Sequence, residues 1–217
     1  MALVAFDMDG VLVDSERFWL AREREDIFPA TVASDVAPED VTGMHVEDLY
    51  DHLDAEYGTT VGKAAFVERY DRAAAEVYGE RVTLLDGFER LVGLLRDRGV
   101  AVALVSSSPE RWIDRVLDRY LLHEVFDAVV SADHVERGKP APDVYLHAAS
   151  LLDTDPADAL AIEDSANGLR AAASAGYATV GYLNGTNERG ALADADSVAE
   201  GPDALSRAVL DWRSGRD

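Results

Sequence analysis

The chain has 217 residues, 48% of them apolar, enough for one full-sized core or a core with a small second module. Its 42 acidic against 20 basic residues give a formal net charge of −22, which repels nucleic acid and anionic membranes, since binding either takes clustered Lys and Arg. No apolar run reaches the ~18 residues of a membrane span, no charged leader precedes the first strand, and no cysteine is present for a disulfide, a thiol nucleophile or a zinc–thiolate site. A soluble, cytoplasmic protein is the expectation.

Short apolar runs alternate with helical periodicity and predict strands near 2–6, 101–106, 127–130, 159–163 and 178–182. That alternation describes a three-layer, Rossmann-like α/β core, a parallel sheet with helices on both faces. The first strand runs into VAFDMDGVLVDSE at 4–16, where Asp7 and Asp9 stand one residue apart and point the same way. Gly10 then allows a tight turn. Some ~80 residues separate this acid pair from the second strand, far more than a crossover helix requires. Residues 16–81 are rich in helix formers, with apolar periodicity in FWLAREREDIF and AAFVERYDRAAAEVY, and read as an insertion between core segments 1–15 and 82–217. LLDGF at 84–88 marks the return to the core.

A helix over 87–98 carries Phe88, Leu91, Val92 and Leu95 on one face and ends at Gly99. AVALVSSSP follows as a strand ending on Ser106, with Ser107, Ser108 and Pro109 behind it; Ser108, next to the proline, is better placed than Ser106 to cap the next helix. RGKPAPDVY holds Lys139 in a proline-punctuated loop, and ALAIEDSANG ends a strand on Glu163 and Asp164 with Ser165 placed to cap a helix over 165–175. The stretch 184–203 reads as surface loop, and a last helix near 203–212 offers Leu205, Val209 and Trp212 to the core. Each of the first, second and fourth strands therefore delivers a polar group at its C-terminal end, where open α/β sheets bind ligands. A carboxylate there can attack phosphorus while a second, two residues on, trades a proton with the leaving oxygen.

Taken in order, the acid pair, hydroxyl, lysine and second acid pair resemble the four motifs of the haloacid dehalogenase superfamily, in its phosphatase and phosphomutase branch. FDMDGVLVDSE, SSSP, GKPAPDVY and IEDSANG are most similar to the sugar-phosphate phosphatase, phosphoglycolate phosphatase and β-phosphoglucomutase group. The resemblance implies that 16–81 is a small helical cap. It also implies hydrolysis of a phosphate monoester through an aspartyl-phosphate, with Asp7 as nucleophile and Asp9 as acid and base. Magnesium would be held by Asp7, the Asp9 carbonyl, Asp164 and Glu163. Ser106, Lys139 and backbone N–H groups around Met8, Asp9 and Ser107 would grip the phosphoryl oxygens, with Lys139 also steadying Asp7.

The mutase pattern of that group has a cap histidine and a substrate-loop arginine where this chain has Trp19 and Val46; Gly43 and Glu47 are retained in TGMHVEDL. A phosphatase is therefore expected over a mutase, with His45 and Arg17 as the available cationic replacements. A phospho-acceptor module is the non-enzymatic rival, but its acids come in a different order and it needs no cap. The substrate is a small phosphate ester, a sugar phosphate or phosphoglycolate by default, and a monomer is the expectation. The five histidines form no metal-site pattern, and of the two lysines Lys63 reads as a surface residue. So acidic and lysine-poor a chain reads as halophilic, because at ~1 M salt the screening length falls to ~3 Å and self-repulsion is largely removed.

Overall fold

A run of four buried residues, Leu3–Phe6, forms β1 at the centre of a six-stranded, wholly parallel sheet. The computed structural model describes residues 1–38, 41 and 44–214. Beside β1 lie β2 (Ala101–Ser106) and β4 (Ala159–Glu163); β3 (Ala128–Ser131) flanks β2, and β5 (Ala178–Leu183) and β6 (Ser197–Glu200) follow β4, giving the order β3-β2-β1-β4-β5-β6. The order reverses between β1 and β4, so the crevice at their C-terminal ends is the natural ligand site of this topology.

Strand alternation divides the core into two layers of different depth. Val4, Phe6, Val102, Leu104, Leu160 and Ile162 face one layer, with α5 (Phe88–Arg96), α6 (Glu110–Tyr120) and α9 (Pro202–Ser214). On the other face Leu3, Ala5, Ala103 and Ala161 meet α7 (Asp143–Leu151) and α8 (Ala166–Ala175) through Ala148, Ala149, Ala171 and Ala172. Small residues on both sides of that contact let the helices approach the sheet closely. Leu205 and Val209 are buried and Trp212 packs against the same core.

The stretch 184–203 is not all loop. It contains a 3₁₀ turn at Arg189–Leu192 and the edge strand β6, which pairs Val180 with Ser197 through Leu183 with Glu200. Only Ala199 of β6 is buried, so the strand carries too little apolar pattern to be read from sequence.

Between β1 and β2 the described residues of 16–81 form helices joined by loops: α1 (Glu16–Arg22), a π-turn (Glu23–Ile27), α2 (Phe28–Thr31), α3 (Val46–Glu56), α4 (Lys63–Glu76) and a second π-turn (Val77–Arg81), with one isolated bridge between Val32 and Thr59. The chain enters and leaves this segment side by side. Val13 bridges Leu84, the Leu85 amide donates to the Leu12 carbonyl (2.8 Å), and the Asp14 amide donates to the Thr83 carbonyl (3.2 Å). Lys63 lies at the surface and pairs with Asp51 (3.0 Å) and Glu47 (3.6 Å) of α3. Among the described residues no helix is long and apolar enough to cross a membrane.

Candidate active site

Asp7 immediately follows β1, and its amide donates to the Ile162 carbonyl (3.0 Å), which sets it against the end of β4. The loop after it closes through Gly10 N–H to the Val13 carbonyl (2.8 Å) and Val13 N–H to the Met8 carbonyl (3.0 Å). Gly10 has φ +77°, and a Cβ there would lie 1.9 Å from Asp164 Oδ2, so both the turn and the approach of the second acid pair require glycine. Gly168 makes the same allowance for Glu163, whose Oε2 a Cβ would meet at 1.9 Å. Asn184, just past β5, donates to the Gly10 carbonyl (2.8 Å) and to Asp164 Oδ2 (3.0 Å).

Lys139 threads between these acids with only 3% of its side chain exposed. Its ammonium donates to Asp7 Oδ1 (2.6 Å), Glu163 Oε1 (2.6 Å) and the Val105 carbonyl (3.0 Å), while Tyr145 also donates to Glu163 Oε1. Burial opposes the charge on Lys139, but Asp7 and Glu163 outweigh it and hold the ammonium above its ordinary pKa. Burial pushes the Asp7 carboxyl up to about 8, against the pull of Lys139 and with repulsion from Glu163 and Asp9 adding to it. Asp164 is likewise raised, by burial and then by Glu16, Asp7 and Glu163.

Asp7, Glu163 and Asp164 each present an oxygen within 4.8 Å of the others. One ammonium cannot balance three buried carboxylates, and the donors are hard oxygens without sulfur or imidazole, so the residues fit magnesium. Glu163 already serves Lys139 and Tyr145 through Oε1, which leaves Asp7 and Asp164 as the better-directed acids.

Asp9 points the other way, into a ring of hydroxyls. Its Oδ1 accepts from Ser15 Oγ (2.6 Å) and the Tyr78 hydroxyl (2.7 Å), and its Oδ2 accepts from Ser108 Oγ (2.7 Å). Ser108 is therefore not the helix cap expected for it. Pro109 occupies the N-cap of α6 with no side-chain cap, because the Ser108 hydroxyl has a carboxylate as acceptor, a stronger partner than a backbone amide. Ser106 ends β2, buried, with its Oγ accepting from the Ser108 amide (3.0 Å); Ser165 caps α8 at the Gly168 amide (3.0 Å).

A cavity of about 80 Å³ opens over Asp7 and Asp9 and is lined also by Ser106, Ser107, Lys139 and Asp164. Trp19 and Val46 reach it from the helical segment. His45, Glu47 and Arg17 do not line it. His45 Nε2 bonds Asp133 (3.1 Å), Glu47 is exposed beside Lys63, and Arg17 pairs with Asp14 (2.5 Å). Gly43 lies outside the described residues.

Sequence reasoning missed Tyr78, Ser15, Glu16 and Asn184 as site residues. Glu16 lines the cavity, and burial followed by repulsion from Asp9, Glu23 and Asp7 pushes its carboxyl up to about 8. Asn184 was within reach of the strand-end rule applied to β5. Tyr78 carries no local signal, since it lies 69 residues from Asp9.

A doubly wound sheet that gathers two acid pairs, a serine and a lysine at its carboxyl edge defines an α/β enzyme with a carboxylate-rich crevice. The haloacid dehalogenase-like hydrolase family matches residues 1–176, and the chain belongs to that family. It is 34% identical over 175 residues to hexitol phosphatase B of Escherichia coli K12, covering 78% of each chain. To β-phosphoglucomutase of Bacillus subtilis it is 30% identical over 200 residues, covering 88% of this chain and 87% of the other. The crystal structure of β-phosphoglucomutase from Clostridium difficile superposes with a TM-score of 0.81 at 21% identity, over 100% of this chain and 98% of that one, a likeness of fold alone.

Proposed function

We propose that this protein is a magnesium-dependent phosphate monoester hydrolase that works on a small phosphorylated metabolite through an aspartyl-phosphate on Asp7. The observation that carries this reading is the Lys139 ammonium held 2.6 Å from both Asp7 and Glu163, beside Asp164, at the floor of a cavity bordered by Ser106. Magnesium, held by Asp7, the Asp9 carbonyl oxygen, Asp164 and Glu163, would supply positive charge to the phosphate oxygens. With Oδ1 held by Lys139, Asp7 attacks phosphorus through its other oxygen, and the bond from phosphorus to the alcohol oxygen breaks. Asp9 gives that oxygen a proton, then takes one from the water that attacks the aspartyl-phosphate, releasing inorganic phosphate and restoring Asp7. The hydroxyls of Ser15, Ser108 and Tyr78 can turn from donating to accepting, so they hold Asp9 in both protonation states. Ser106 Oγ, Lys139 and the amides of Met8, Asp9 and Ser107 hold the transferring phosphoryl oxygens.

The helical segment 16–81 serves as the cap in this reading. It leaves and rejoins the core through the paired backbone at 12–14 and 83–85, and it lends Trp19 and Val46 to the cavity wall. Those two residues also favour hydrolysis over phosphomutase chemistry, which must hold a second phosphate with cationic groups while the intermediate reorients. Phosphate release from a panel of phosphorylated metabolites, with magnesium and at high salt, tests the function. No turnover of any ester with retained phosphate on the protein would favour a phospho-acceptor module instead.

A further inference from the structure

Glu16, at the start of α1, lies where three cavities meet: the chamber of about 80 Å³ over Asp7, one of about 190 Å³ beside Asn184, and a groove of about 720 Å³ beside Asn167 and Thr186. Among the described residues, Glu16 alone lines all three. Among the described residues lining the three cavities the one cation is Lys139, and its ammonium already serves Asp7, Glu163 and the Val105 carbonyl. Besides Asp7, Asp9 and Asp164, the other charged groups lining them are acids: Glu16, Glu23 (bonded by the Tyr70 hydroxyl at 2.8 Å), Asp14 (paired with Arg17), Asp86 and Glu188.

We propose that the site selects phosphomonoesters of uncharged, polyhydroxylated alcohols and rejects esters that carry a second anionic group, with Glu16 as the specificity-determining residue that takes the alcohol's hydroxyls. The proposal rests on the phosphatase reading above and narrows its substrate class. A carboxyl group accepts hydrogen bonds from hydroxyls when ionised and both donates and accepts when protonated, so in either state it suits a polyol. Ionised, it repels a phosphate or a carboxylate; protonated, it offers one neutral donor and no counter-charge. A second anion in these cavities would lose its hydration without a counter-charge and would face several acids at close range. Trp19 and Trp112, stacked at 5.3 Å along the inner chamber, add an apolar wall against which the C–H face of a polyol packs.

The test compares esters matched except for charge, all with magnesium: sorbitol 6-phosphate against 6-phosphogluconate, glycerol 3-phosphate against 3-phosphoglycerate, and glucose 6-phosphate against glucose 1,6-bisphosphate. Hydrolysis of p-nitrophenyl phosphate runs alongside as a report on phosphatase chemistry that does not depend on recognition of the alcohol. For the neutral member of at least one pair, kcat/KM should exceed that of its anionic partner by about a hundredfold or more. Glu16→Lys and, separately, Met44→Lys, which places a cation on the wall of the same chamber, should each lower that ratio by about tenfold. Because the ratio is taken within one preparation, partial loss of folded protein cancels. Turnover of p-nitrophenyl phosphate with anionic members hydrolysed as well as neutral ones, with no neutral member hydrolysed, or with a ratio unmoved by both lysine variants, overturns the inference and leaves the phosphatase standing. Absence of hydrolysis of every ester, p-nitrophenyl phosphate included, overturns the phosphatase reading itself.

Discussion

The Tyr78 hydroxyl stands 2.7 Å from Asp9 Oδ1 and simultaneously accepts the Trp19 indole N–H at 3.0 Å. Tyr78 comes from the last turn of the helical segment and Trp19 from its first helix, so both ends of that segment converge on the second aspartate. Removing the hydroxyl in Tyr78→Phe takes one of three donors from Asp9 and orphans a buried indole N–H. A loss of about 1–3 kcal/mol in stability is expected by denaturant unfolding. Turnover of alkyl phosphates should fall by roughly tenfold, with less loss for an aryl phosphate whose leaving group needs no proton. Unchanged stability and turnover would mean that Ser15 and Ser108 suffice to hold Asp9.

Asp7→Asn and Asp9→Asn should fail for different reasons. The first removes the nucleophile and should abolish hydrolysis of every ester. The second removes proton transfer, typically worth ~10²- to 10⁴-fold, and with an aryl phosphate it should leave phosphate trapped on Asp7, visible as a mass increase of the intact protein. Hydrolysis by Asp7→Asn at the wild-type rate is incompatible with the mechanism.

Chelation should stop hydrolysis and added magnesium should restore it. Asp164→Ala should weaken magnesium binding more than Glu163→Ala, whereas Glu163→Ala should cost more stability. Glu163 is one of the two carboxylates around a buried ammonium, and breaking such a cluster costs about 3–5 kcal/mol. Lys139→Arg should be inactive, since a planar guanidinium cannot replace a point charge among three fixed acceptors. Calorimetric titration with magnesium and denaturant melts separate the two effects.

The metal-free protein should lose stability as pH rises from about 4 to about 8. Asp7 and Glu16 titrate near 8 when folded but at 3.8 and 4.5 when unfolded, so across that interval the native state holds protons that the unfolded chain has released. Magnesium bound at Asp7 would take the place of its proton and should flatten the slope. Melting temperatures across this range, in chelator and in magnesium, check the sign; a rise with pH in chelator contradicts it.

Stability should also increase with salt into the molar range. With a net charge of −22, mutual repulsion would loosen the fold in dilute buffer, and sodium or potassium chloride would screen it. Thermal melts over a salt series measure this directly, and a flat midpoint would assign the acidity another purpose.

Local signals in the chain carried a large part of this protein. Apolar runs placed β1 to β5, the rule that polar groups gather at strand ends picked out Asp7, Ser106 and Glu163 with Asp164, and glycine or serine marked the boundaries of α8. Those features depend on backbone propensity and on a residue's immediate neighbours, which a sequence displays. What only the tertiary structure decided is which partners the polar atoms chose. Ser108 left the helix cap for Asp9, Tyr78 reached the same carboxylate across 69 positions, and Lys139 reached Asp7 across 132. Glu16, an ordinary first-turn glutamate by sequence, came to stand among three cavities. Hydrogen bonds and charges act over a few ångströms of space regardless of separation along the chain, so their pairing is set only once the sheet has brought its strand ends and the helical segment together.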